Sequence, residues 1–124
     1  MKTLKFIKLK IYMDLLKNNS IDFFKEGKRN LNEGKYNLAM FHLEQALQLG
    51  LKYKLYELTG IYDKTYDITI LLNKVVELTK DDKLKEIIDK EYITLELIKQ
   101  AYISSRYLPF IYDKKSAEKA HQVV

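Results

Sequence analysis

Cysteine is absent from the 124 residues, which excludes disulfides, thiolate nucleophiles and Cys-based metal sites and fits a reducing compartment, so the cytoplasm is the expected location. Proline occurs once, at Pro109, and glycine four times. A chain so poor in breakers is built from long regular elements, and the loop-rich and disordered classes are set aside. No unbroken apolar run reaches the length of about 20 residues that a bilayer-spanning helix needs. At the start, Met1 to Lys10, lysines interrupt every apolar pair, so the apolar core of a secretory signal is missing and no membrane partner is expected. Histidine is limited to His42 and His121. Neither has a His or carboxylate four residues away on its helix, so no metal and no cofactor is expected.

What is present points to a single domain over residues 1–124, large enough for a hydrophobic core. Lys and Arg number 22 against 17 Asp and Glu, a net charge of +5 that suits a nucleic-acid or acidic partner but is also ordinary for a small domain. Tyr12, Leu16, Ser20, Phe24, Gly27 and Leu31 recur at three- and four-residue steps, with Leu15 and Phe23 widening the stripe, and predict an amphipathic helix from Ile11 to Leu31. Gly34 suits the residue after its end. The second helix, about Tyr36 to Leu58, carries two stripes. One runs through Met40, Leu43, Leu47, Leu51, Leu55 and Leu58; Ala39, Ala46, Gly50 and Tyr53 lie beside it, and the small residues favour close packing at the bundle centre.

Thr59-Gly60 ends that helix, and a loop over Ile61 to Tyr66 precedes a short third helix through Ile68, Leu71, Leu72, Val75 and Leu78, capped by Thr65 or Asp67. A fourth helix, about Lys83 to Arg106, has room for a break near Asp89 to Tyr92. Pro109 separates it from a last short helix that Asp113 or Ser116 caps. The fold class is therefore all-α, an up-and-down bundle of four main helices plus a short C-terminal helix. Gly34-Lys35-Tyr36-Asn37-Leu38-Ala39 also looks like half of a tetratricopeptide repeat, but no second copy follows about 34 residues on.

Chemistry concentrates where the fourth helix ends. Arg106 stands between Tyr102 and Tyr107 just before Pro109, a cation near a helix C-terminus beside aromatic rings, placed to meet a phosphate or a partner's carboxylate. Simple capping of its own helix is the plainer alternative. Lys52 and Lys54 flank Tyr53, and with Arg106 they either line a basic groove or remain solvated surface lysines. Ten tyrosines serve base stacking or core and dimer packing. His42 suits a partly buried, hydrogen-bonded structural role, and His121, near the C-terminus, a solvated one.

Three stretches together carry a resemblance: Tyr36 to Lys52 with its Gln45-Ala46 step, the loop Asp63-Lys64-Thr65-Tyr66-Asp67, and Ser105-Arg106-Tyr107-Leu108-Pro109. In order and spacing, from about Tyr12 to the C-terminus, they resemble the HEPN domain, named for higher eukaryotes and prokaryotes nucleotide-binding proteins. The resemblance implies a helical bundle that forms a homodimer, acts with a minimal nucleotidyltransferase partner in toxin–antitoxin-like pairs, and binds nucleotide or RNA. The implied contact residues are Arg106, Lys52, Tyr107, Tyr102 and Tyr66. The nuclease branch of that family uses an Arg followed four to six residues later by His; here no His follows Arg106 until His121, and Tyr66 stands where near relatives carry the loop histidine. A binding and assembly module is accordingly the expected function. The alternative is a metal-independent ribonuclease with an atypical site, Arg106 acting as clamp and Tyr66 or Tyr107 as proton donor.

Overall fold

A computed structural model describes the backbone of residues 2–107 and 111–124 and the side chains of residues 7–102 and 111–124. The described residues form helices α1 (Lys2–Asn32), α2 (Tyr36–Thr59), α3 (Ile68–Thr79), α4 (Asp82–Lys90), α5 (Tyr92–Tyr107) and α6 (Lys114–Val123), with no strand among them. The expected all-helical bundle is the observed one, with two differences of extent. Helix α1 begins nine residues before Ile11, at Lys2. The expected fourth helix is two helices, α4 and α5, parted at Glu91, the polar residue that falls on the Leu84, Ile88, Leu95 stripe.

Helices α1 to α4 and α6 start or stop where the sequence supplies the missing hydrogen bonds or the backbone freedom to end. Asp67 caps α3 by accepting from the backbone N–H groups of Thr69 and Ile70, Asp81 caps α4 through Leu84, and Asp113 caps α6 through Ser116. At the other ends, Gly34 at φ 75° and Gly60 at φ 72° take left-handed backbone that a side chain would strain.

Helix α2 is the centre and packs on α1, α3, α5 and α6. Ala39, Met40 and Leu43 are fully buried on it, as are Ile68 and Leu71 of α3, Ile98 and Ala101 of α5, and Ala117 and Ala120 of α6. The α1–α2 hairpin is tight because its contacts are small. A Cβ on Gly27 would lie 2.9 Å from Leu43, and one on Gly50 would lie 3.1 Å from Ser20 Oγ. Ser20 Oγ in turn donates to the Ala46 carbonyl at 2.6 Å. Not every residue of the expected stripes faces the core: Leu15 and Leu58 are exposed. Tyr112 anchors the approach to α6, its N–H donating to Asn37 Oδ1 at 2.8 Å and its hydroxyl to the Leu97 carbonyl at 3.3 Å.

Candidate functional site

Lys52 lies on the face of α2 that looks toward the α2–α3 loop, and only 2% of it is exposed. Its surroundings are aromatic. Nζ stands 4.9 Å from the centre of the Tyr66 ring and 5.3 Å from that of Tyr62, the arrangement in which an aromatic quadrupole attracts a cation. Among the described residues Lys52 makes no ion pair. Burial pushes its pKa below the ordinary lysine value, against the opposing pull of Tyr66, Asp63 and Glu44. A lysine placed this way is neither a solvated surface lysine nor the rim of an open groove. It is a cation enclosed by phenol rings.

The loop that covers it is held by charge and hydrogen bonds. Lys74 Nζ meets Asp63 Oδ2 at 2.6 Å, and the Thr65 N–H donates to Asp63 Oδ1 at 2.8 Å. These contacts, Lys74 foremost, bring the Asp63 pKa down from 3.8 to about 2. Lys99 Nζ pairs with Asp67 Oδ2 at 3.2 Å. At Asp67 burial acts to raise the pKa, but Lys99 and the two capped N–H groups outweigh it and the net direction is down. Beneath the loop, buried Gln48 donates from Nε2 to Glu44 Oε2 at 3.0 Å and to the Tyr66 carbonyl at 3.4 Å.

Tyr66, 60% exposed, stacks on Tyr102 of α5 with ring centres 5.3 Å apart and planes 17° from parallel. Three of the five residues expected in the site, Lys52, Tyr66 and Tyr102, thus come together, although the chain separates them by up to fifty positions. The other two, Arg106 and Tyr107, follow Tyr102 by about one turn of α5; their side chains lie outside the described residues, as does Pro109. Tyr62 is a member that spacing did not single out as a contact residue. The signal available was its position in the same loop as Tyr66. Lys54 does not join the group, for its Nζ pairs with Glu57 Oε1 at 3.0 Å on the exposed side of α2.

Neither imidazole belongs to this cluster. His42 Nδ1 is 2.6 Å from Asn30 Oδ1, its ring stacks on Phe23, and burial lowers its pKa. His121 is not the solvated residue its position near the terminus suggests: α6 folds back so that its ring stacks on Phe24 at 4.9 Å, and Nε2 is buried with no hydrogen-bond partner among the described residues. No group of three or more His, Cys, Asp or Glu among the described residues is arranged to hold a metal, and no described helix is long and apolar enough to cross a membrane.

A family model described as HEPN domain matches residues 13–124. No curated protein and no solved structure matches the chain.

Proposed function

The chain belongs to the HEPN domain family, and from that premise we propose that it is a nucleotide- or RNA-binding and assembly module, a homodimer that acts with a minimal nucleotidyltransferase partner in a toxin–antitoxin-like pair. The observation that carries this reading is Lys52, a buried cation with two tyrosine rings over it and no ion pair among the described residues. Burial holds the Lys52 pKa down even though Tyr66, Asp63 and Glu44 pull the other way, and sites that keep such a group are often functional. A ligand phosphate would add negative charge beside the ammonium, and Tyr66, 60% exposed, brings an aromatic ring to the same place for a base. Arg106, one turn beyond Tyr102, is the natural second cation for the same phosphate. Binding is favoured over ribonuclease chemistry because both imidazoles are packed against phenylalanines elsewhere, leaving phenols and cations at the site and no imidazole to act as general base there.

The test is a fluorescence-anisotropy titration of a short single-stranded RNA with the wild type and Arg106→Ala, run beside light scattering for the oligomeric state. The reading predicts a dimer at micromolar concentration and an affinity about tenfold or more weaker in the variant, since hydrogen bonds to charged groups contribute about 1.5–3 kcal/mol. A monomer that ignores RNA and nucleotides would overturn it, and RNA cleaved by the wild type in the presence of a chelator would favour the nuclease instead.

A further inference from the structure

A second feature adjoins the Lys52 cluster. Leu49 and Tyr56 stand about one turn on either side of Lys52 on α2 and, with α1, line a cleft of about 570 Å³ whose walls do not include Lys52 itself, within the rough range of 300–1,000 Å³ that small-molecule sites occupy. Its walls are aromatic and aliphatic. Tyr12 and Tyr56 meet edge to face, ring centres 6.2 Å apart at 77°, and Leu16 and Leu49 line the cleft with them. Tyr62 completes the wall and is the same residue whose ring covers Lys52 Nζ, so the cleft and the buried cation share a side chain.

Two properties narrow the occupant. Among the described residues no acidic side chain lines the cleft, and Asn19 is the one carboxamide in it. A carboxamide presents a donor and an acceptor side by side, the pattern that pairs with the amino group and adjacent ring nitrogen of adenine. Tyr12, 52% exposed, offers ring surface for a planar heterocycle.

We propose that the cleft between α1 and α2 is a base-binding subsite that takes the adenine ring of a nucleotide against Tyr12, with Asn19 on its polar edge and the phosphate directed past Tyr62 toward Lys52. This deepens the proposed nucleotide- or RNA-binding function and rests on it. It gives the cation a base-recognising neighbour on the opposite flank from the Tyr66–Tyr102 stack.

The probes are AMP, UMP and ribose 5-phosphate, titrated by calorimetry into the full chain, with circular dichroism confirming that each variant is folded. The expected result is AMP bound at least tenfold more tightly than ribose 5-phosphate. Tyr12→Ala is expected to weaken AMP about tenfold, within the range that base stacking contributes, while leaving ribose 5-phosphate unchanged. Asn19→Leu is expected to erase the preference for AMP over UMP. Equal affinities for AMP and ribose 5-phosphate, both lowered in Lys52→Met, would overturn the base subsite and leave the phosphate reading standing. Failure of every probe together with failure of RNA to bind would remove the functional reading itself, and AMP affinity unaltered by Tyr12→Ala would show that the base sits elsewhere.

Discussion

Replacing Lys52 by methionine should make the protein more stable while weakening its anion binding. The two side chains are similar in length, so the substitution keeps the packing under Tyr62 and Tyr66 and removes only the charge. Relief of desolvation dominates: holding a buried cation away from water costs on the order of several kcal/mol, about 3 once the pull of Asp63 and Glu44 is set against it. Lost attraction to the two rings opposes it by about 1 kcal/mol each. The balance is about 1 kcal/mol in favour of the variant, or about 4 °C in thermal midpoint for a chain of this size. The pH dependence gives the sign an independent check. Because the folded pKa lies below the ordinary 10.5, the unfolded wild type binds more protons than the folded form in the window between the folded value and 10.5. Wild-type stability therefore rises through that window, and Lys52 penalises the fold fully only below its folded pKa. Thermal unfolding followed by circular dichroism at pH 7 and near pH 10 should show the advantage of the variant shrinking at the higher pH. A variant less stable than wild type at pH 7 by more than about 1 kcal/mol would refute the reasoning, for it would mean that the ammonium is satisfied within the fold and contributes to it.

Three further substitutions probe the scaffold and the loop. Gly27→Ala should cost about 1–3 kcal/mol in urea unfolding, because its methyl would meet fully buried Leu43 at 2.9 Å; a neutral result would show that the α1–α2 hairpin is looser than its geometry implies. Asp63→Asn should cost about 1–2 kcal/mol at pH 7 by loosening the latch to Lys74. Since the folded pKa of Asp63 is depressed from 3.8 to about 2, its contribution is complete above pH 3.8 and fades as pH falls through about 2, so the two proteins should converge in acid, and a gap that persists there would exclude the ion pair as its cause. His121→Phe keeps the stack on Phe24 and removes a buried nitrogen that has no partner among the described residues, so it should leave stability unchanged or raise it by about 1 kcal/mol; a marked loss would reveal a hydrogen bond that this nitrogen makes.

The helices and most of their ends were legible in the sequence because they depend on neighbours. Asp67 and Asp113 cap from positions fixed by short-range hydrogen bonding, and Gly60 ends α2 through its own backbone freedom. The central place of α2 was legible too, since two apolar stripes and Ala39, Ala46 and Gly50 require partners on several sides. The burial of Lys52 was not. Between Leu51 and Tyr53 it reads as a surface lysine, and only the fold of the Ile61–Asp67 loop, latched at Asp63 and Asp67 to lysines of α3 and α5, brings Tyr62 and Tyr66 over its ammonium. Tyr62 stayed hidden for the same reason. The docking of His121 on Phe24 likewise depends on the return of α6 across the bundle, for which residues near His121 give no local sign. The division of α4 from α5 falls between these cases: Glu91 interrupts the stripe visibly, but its pairing with Lys119 of α6 at 3.4 Å appears only in three dimensions.

The salt dependence of RNA affinity in the wild type and in Lys52→Met tests the phosphate-binding role of the enclosed ammonium most directly. If that ammonium faces a phosphate, the variant binds at least tenfold more weakly at physiological salt, and the slope of log affinity against log salt becomes shallower by about one charge. Two parallel lines of equal height would contradict the account and return Lys52 to the architecture of α2.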